Sequence, residues 1–193
     1  MLFVKIALIS ATKASLNPIE KAFQPYMNEV EIFHLLDSSL LPLLKKEQEI
    51  TPKIIQRFAK LIELAIHADV DIVQLTCSAF NDVTSILQPL YDVKLFRSDE
   101  AMLDQALQYE KVGLVSTVYE TPIVLGNYLR NKNPNIEIES VVDDGVIHLI
   151  NEGKIEEHDQ RVRKMIDELD GKVDVIVLSQ YSIAHVKNQV STS

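Results

Sequence analysis

The feature that most restricts what this chain can fold into is a segment that occurs twice. Val70-Asp71-Ile72-Val73-Gln74-Leu75-Thr76-Cys77 is matched 103 positions later by Val173-Asp174-Val175-Ile176-Val177-Leu178-Ser179-Gln180. Ser10 stands over Ser116 at an offset of 106, and Asn17-Pro18 over Thr121-Pro122 at 104. Three matches near one offset indicate an internal duplication, so the fold is one plan built twice. In the first half, Leu2 to Ile9 predicts a buried strand followed by a turn at Ser10-Ala11-Thr12. Asn17-Pro18 supplies an N-cap and a proline at N1 for a helix with Ile19, Ala22 and Phe23 inward. A strand over 30–34 follows. Thr51-Pro52 then repeats the cap signal ahead of a stripe formed by Ile54, Ile55, Phe58, Leu61, Ile62, Ala65 and Ile66. Asp71 to Leu75 reads as a strand covered on both faces, with a helix from about Ala79, a strand over 93–96 and a helix over 99–108. The second half repeats this plan. Strands are expected over 112–115, 136–142 and 173–178, a helix after Thr121-Pro122, and two further helices, the second running from Ile155 to Leu169 and stopped by Gly171. Alternating strands and helices predict an α/β fold with parallel sheets in two pseudo-symmetric lobes, 1–110 and 111–193. Ligands are then expected beyond the carboxyl ends of the strands, in a cleft between the lobes.

Composition narrows the function. Nineteen basic against 28 acidic side chains give a net charge of −9, which disfavours nucleic acid or an anionic membrane as partner. Lys45-Lys46 and Arg161 to Lys164 read as solvated faces. The single cysteine excludes an intrachain disulfide and a Cys-rich zinc site, and suits a reducing cytosol. Five glycines are too few for a typical glycine-rich phosphate cradle, and no dinucleotide or P-loop fingerprint is present, which disfavours a flavin or nucleotide protein. The apolar start is short and interrupted by Lys5, and no apolar run approaches the roughly 20 residues of a spanning helix, so a cytoplasmic protein is expected.

The chemistry is expected at the strand ends. Cys77 falls where a strand gives way to a helix, whose terminus lowers a thiol's pKa. Thr76 and Ser78 flank it with hydroxyls suited to an oxyanion or carboxylate. A lone cysteine can equally be a small core residue; its position beside polar neighbours favours the reactive reading. Ser116, Thr117 and Thr121 form a second hydroxyl group, although Thr121 reads as readily as a helix cap. Ser10 and Thr12 serve a turn as well as a ligand, and Tyr119 either donates to a ligand or covers the site. His34, His148 and His158 show no metal-ligand spacing, so no metal site is predicted. His67 ends a helix, and His185 lies one turn beyond Gln180, where a surface role is as expected as a role in the site. Asp143-Asp144-Gly145 reads as a turn or helix start.

Taken in order, these pieces resemble the aspartate/glutamate/hydantoin racemase superfamily, and most closely its hydantoin-racemase-like branch. The resemblance rests on Ser10 with Asn17-Pro18, Asp71 to Ser78 with its cysteine, and Ser116-Thr117 before Thr121-Pro122. It extends to Asp144-Gly145, Asn151-Glu152-Gly153, His158 and Leu178-Ser179-Gln180-Tyr181-Ser182. It implies a cofactor-independent enzyme of two flavodoxin-like lobes, with two cysteines facing opposite sides of a carbon that bears an acidic proton. One thiolate removes the proton and the other thiol returns one from the far face. Two titratable groups are needed because one base returns a proton to the face it came from. The first cysteine falls on Cys77 and the second on Gln180, which is neither acid nor base. A symmetric two-thiol racemisation is therefore not expected. A nucleophilic Cys77, as in maleate-type isomerases, fits better than the superfamily's decarboxylases, whose lone cysteine lies in the second lobe. His185 or Tyr119 is a weaker choice of second base.

About 33 residues follow Cys77 to Glu110, but only 13 follow Gln180. By the duplication, a last strand and helix of the second lobe are expected to be missing: either the product is truncated, or another chain, such as a second copy in a homo-oligomer, fills the open edge. Two functions are expected from these features. The first is a racemase or isomerase acting beside a carboxylate or amide of a small polar substrate such as an amino acid, hydantoin or dicarboxylate. There Cys77 is base or nucleophile, and Ser10, Thr76, Ser78, Ser116, Thr117, Thr121, Gln180 and Ser182 bind the substrate. The second is a non-catalytic small-anion-binding protein on a degenerate racemase fold.

Overall fold

The computed structural model describes residues 3–189. It divides into two units, the first ending at Ser98 and the second beginning at Asp99. In the first unit β1 (Val4–Ser10), β2 (Val30–Leu36), β3 (Ile72–Leu75) and β4 (Lys94–Phe96) form a parallel sheet of order β2-β1-β3-β4. In the second, β5 (Lys111–Ser116), β6 (Glu137–Val142) and β7 (Val175–Leu178) form a parallel sheet of order β6-β5-β7. The orders correspond strand for strand, except that among the described residues no strand pairs with β7 as β4 pairs with β3. No helix among the described residues is long and apolar enough to cross a membrane.

The duplication reaches individual hydrogen bonds. Asp71 Oδ2 accepts from the Lys5 amide at 2.8 Å, and Asp174 Oδ2 from the Lys111 amide at 2.8 Å. Each aspartate clamps the start of one central strand to the next. At the far end, the Thr76 amide donates to Ile9 O and the Ser179 amide to Val115 O, both at 3.0 Å. Beyond β2, Asp37 pairs with Arg57 at 2.6 Å; beyond β6, Asp143 pairs with Arg161 at 2.5 Å. Arg161 is thus a half-buried partner rather than part of a solvated basic face. Burial tends to raise the Asp37 pKa, but hydrogen bonds from Ser39 and Arg57 outweigh it and hold the carboxyl below its usual range.

Side-chain periodicity explains which helix faces turn inward. In α3 (Pro52–His67), Ile54, Phe58, Ile62 and Ala65 are buried, and the Phe58 ring packs on Phe80 with centroids 5.1 Å apart. Burying Ile54, Phe58 and Ile62 contributes roughly 1.5–3 kcal/mol each. In the second unit α5 (Glu100–Ala106) and α6 (Thr121–Lys132) join Val112, Leu114 and Val177 in one core cluster. Residues of α7 (Val146–Asn151) and α8 (Ile155–Leu169) join Val115, Ile183 and Val186 in another. The helix expected over 99–108 therefore packs with the second unit: Leu103 and Ala106 belong to its core. Gly113 lets α8 approach β5, since a Cβ there would lie 2.9 Å from Val173 Cγ2 and 3.0 Å from Leu169 Cδ1. Gly171, at φ +70°, ends α8 as the sequence predicts.

Two helix starts differ from expectation. α1 (Leu16–Phe23) begins before Asn17-Pro18, because a 3-10 turn at Lys13–Ser15 runs directly into it. Thr12 Oγ1 caps that turn by accepting from the Ala14 amide at 3.3 Å, and Ala22 is exposed rather than inward. Thr121 is the first residue of α6 and not its cap, which leaves its hydroxyl for a neighbour.

Candidate functional site

In the first unit, the ends of β1 and β3 lie side by side and carry Ser10 and Thr76. Their hydroxyl oxygens are 2.8 Å apart and both side chains are buried. Thr76 Oγ1 also donates to Ile9 O at 3.3 Å, so the hydrogen between the two hydroxyls is Ser10's. Both hydroxyl hydrogens then serve to join the strands.

Cys77 follows in extended conformation (φ −116°, ψ 111°) and is partly exposed. The helix expected directly behind it is a three-residue 3-10 turn, Ser78–Phe80, followed by the six-residue α4 (Asp82–Leu87). Few aligned peptides stand behind the thiol, so the field of a long helix does not act on it. Ser78 is buried, and Asn81 beyond it donates to Ser98 Oγ at 3.0 Å and accepts from the Ser98 amide.

In the second unit Ser116 and Ser179 stand at the ends of β5 and β7 as Ser10 and Thr76 stand in the first, and Gln180 takes the position of Cys77. Ser116 Oγ donates to Val118 O (2.9 Å) and accepts from Gln180 Nε2 (2.7 Å). Gln180 Nε2 donates further to Thr121 Oγ1 at 3.2 Å, and Gln180 Oε1 accepts from the Thr117 amide at 3.1 Å. Both amide hydrogens and the amide oxygen are thus engaged within the unit, and Gln180 braces the ends of β5 and β7. Around this brace three buried polar atoms have no hydrogen-bond partner among the described residues: Thr117 Oγ1, Ser179 Oγ and Glu120 Oε2. An unpartnered buried polar atom costs about 1–3 kcal/mol, so hydroxyls left in this state are prepared for something that hydrogen-bonds them. Ser182 is buried in the 3-10 segment Tyr181–Gln189, whereas Tyr119 is 59% exposed.

Sequence reading passed over Ser179 and Glu120. The signal for Ser179 was its register with Thr76; Glu120 had none. It also missed a cluster where the 181–189 segment meets α8. Asp159 Oδ1 accepts from His158 Nδ1 and His185 Nε2, each at 2.7 Å, and Oδ2 accepts from Gln189 Nε2 at 2.7 Å. The two imidazoles stack with centroids 5.8 Å apart. Burial tends to raise the Asp159 pKa, but these three donors outweigh it and hold the carboxyl below its usual range. No spacing rule pairs residues 158, 159 and 185; the fold of the 181–189 segment onto α8 does. His34 lies 3.5 Å from Glu20 and apart from the strand-end residues of the first unit.

No protein-family model and no curated protein sequence matches the chain. Solved structures do. The glutamate racemase of Francisella tularensis, in complex with D-glutamate, superposes with a TM-score of 0.74 at 17% identity, covering 95% of this chain and 70% of that chain. The aspartate racemase of Picrophilus torridus gives 0.71 at 14% identity, covering 97% and 84%. The allantoin racemase of Klebsiella pneumoniae gives 0.64 at 15%, covering 96% and 78%. The chain has the two-unit α/β fold of the glutamate, aspartate and allantoin racemases.

Proposed function

We propose that this chain is a racemase-type isomerase acting at the carbon beside the carboxylate or amide of a small polar substrate. The observation that carries the reading is the pair of buried, unpartnered hydroxyls at the ends of β5 and β7, Thr117 Oγ1 and Ser179 Oγ. Each is a donor of the kind a carboxylate oxygen accepts, and each is held by a strand end braced through Gln180. The D-glutamate bound by the Francisella racemase is a ligand of this chemical class.

Cys77 is the base in this reading. Its thiolate takes the proton from the α-carbon, and the electron pair of the broken C–H bond delocalises into the adjacent carboxylate or amide. The thiol so formed returns a proton to the same face, which gives isotope exchange without inversion. Inversion requires a second proton carrier, and Gln180 is not one. The titratable candidates are His185, five residues beyond Gln180, and Tyr119 and Glu120, which immediately precede the Thr121 that accepts from Gln180 Nε2.

A second reading, a small-anion binder without turnover, draws on the same residue: an amide with both its hydrogens and its oxygen engaged stands where a symmetric mechanism needs an acid. Ligand-induced thermal shift with D- and L-glutamate, D- and L-aspartate, hydantoin and maleate tests the binding shared by both. A ligand at 100 times its Kd stabilises by about 2.7 kcal/mol. Thr117→Val and Ser179→Ala should each abolish most of that shift. A wild-type protein that none of these ligands stabilises contradicts the assignment. Alkylation at neutral pH separates the readings: fast reaction at Cys77 supports the enzyme, and the rate of an ordinary thiol supports the binder.

A further inference from the structure

We propose that His158, Asp159 and His185 form a binding site for a late first-row divalent cation of the zinc class, separate from the strand-end residues of the proposed function. The ligand-capable atoms of the three residues all lie within 4.8 Å of one another. Two imidazole nitrogens and a carboxylate oxygen are the donor set such cations prefer.

Burial makes the cluster more than a surface coincidence. His158 has no exposed surface and Asp159 is 6% exposed. Among the described residues Asp159 meets two imidazoles and the Gln189 amide, and no lysine or arginine pairs with it. A divalent cation would bring the formal counter-charge that these neutral donors do not carry. His185 is the open side of the site, with its side chain 42% exposed; it provides the entry path and room for a water ligand. Gln189, on Oδ2, orients the carboxylate from behind.

The hydrogen bonding also sets the affinity. In the metal-free state each imidazole donates its N–H to Asp159 Oδ1. Coordination through His158 Nδ1 and His185 Nε2 moves each proton to the other ring nitrogen, with no net change in protonation. For His185 that nitrogen belongs to a half-exposed ring. For His158 it is Nε2, which is buried and has no acceptor among the described residues. Loss of this outer hydrogen bond costs about 10–100-fold in metal affinity. The site should therefore hold zinc in the micromolar range rather than as a permanent structural ion.

Titration of the chelator-stripped full chain with Zn²⁺, followed by calorimetry, should give one equivalent bound with a micromolar Kd. Co²⁺ should give visible d–d absorption characteristic of low coordination number. His185→Ala removes the exposed ligand without opening the core and should weaken binding at least 10-fold; His185→Gln serves as a second variant should the first fail to fold. Cys77→Ala should bind as wild type, which distinguishes this site from adventitious capture by the thiol. No saturable binding below about 1 mM, or binding unchanged in both His185 variants, overturns the proposal. Neither result bears on carboxylate binding at Thr117 and Ser179.

Discussion

Replacing Asp159 by asparagine is the sharpest test of how the second unit is held together. The carboxylate accepts three hydrogen bonds, all at 2.7 Å, and two of the donors lie on the 181–189 segment. An asparagine of the same shape keeps one acceptor oxygen but turns an NH₂ group toward at least one N–H donor. The group left worst off is His158 Nδ1–H, because its ring is fully buried. An unsatisfied buried donor costs about 1–3 kcal/mol, and weakened bonds to His185 and Gln189 bring the expected loss to about 2–4 kcal/mol. For a unit of this size, 1 kcal/mol corresponds to about 4–8 °C in Tm. The sign of the pH dependence follows from the depressed Asp159 pKa. The group titrates near 3.8 in the unfolded chain and lower in the folded one. Its stabilisation is complete above the unfolded value and disappears as pH falls through the folded one. Urea unfolding followed by far-UV circular dichroism, with chelator present, should show the full deficit at pH 7 and a closing gap below about pH 4. A deficit under about 0.5 kcal/mol at pH 7, or one unchanged at pH 3, refutes the reasoning.

Gly113→Ala should cost about 1–3 kcal/mol, because its Cβ would meet Val173 and Leu169 at 3.0 Å or less; thermal melts check it, and a neutral substitution contradicts the close approach of α8. Asp71→Ala and Asp174→Ala remove equivalent clamps and should each cost about 1 kcal/mol, to within 0.5 kcal/mol of one another; a large asymmetry denies their equivalence. Arg57→Ala should move the Asp37 pKa upward, read by carbon-13 NMR of the carboxyl, and an unmoved value contradicts the pairing. Gln180→Ala should lower the thermal shift produced by carboxylates as much as Thr117→Val does, since Gln180 Oε1 holds the Thr117 amide; an unaffected shift denies the brace its role.

What could be read from the sequence is what repeats. Val70–Cys77 and Val173–Gln180 carry their own register, and the duplicated Asp71 and Asp174 clamps follow it. The stripe of α3 is legible because Ile54, Phe58, Ile62 and Ala65 obey a single local period. Helix starts were less legible. Thr121 has a cap's identity, but tertiary contact with Gln180 gives its hydroxyl another use. Asn17 was displaced by a 3-10 turn that leaves only weak composition signals. At the site, residue types were readable and hydrogen-bond occupancy was not. Ser10, Thr76, Ser116 and Gln180 looked as available as Thr117, yet their partners lie on neighbouring strands or loops. The His158–Asp159–His185 cluster depends on the fold of a distant segment, which no local pattern encodes.

The central claim is that Cys77 exchanges the α-proton of a small carboxylate. The most direct measurement is proton NMR in D₂O, incubating amino acids, hydantoins and dicarboxylates with wild-type protein and with Cys77→Ala. The account predicts loss of the α-proton signal with at least one of these ligands in the wild type and none in the variant. Exchange that persists in Cys77→Ala, or that no ligand shows with the wild type, would contradict it.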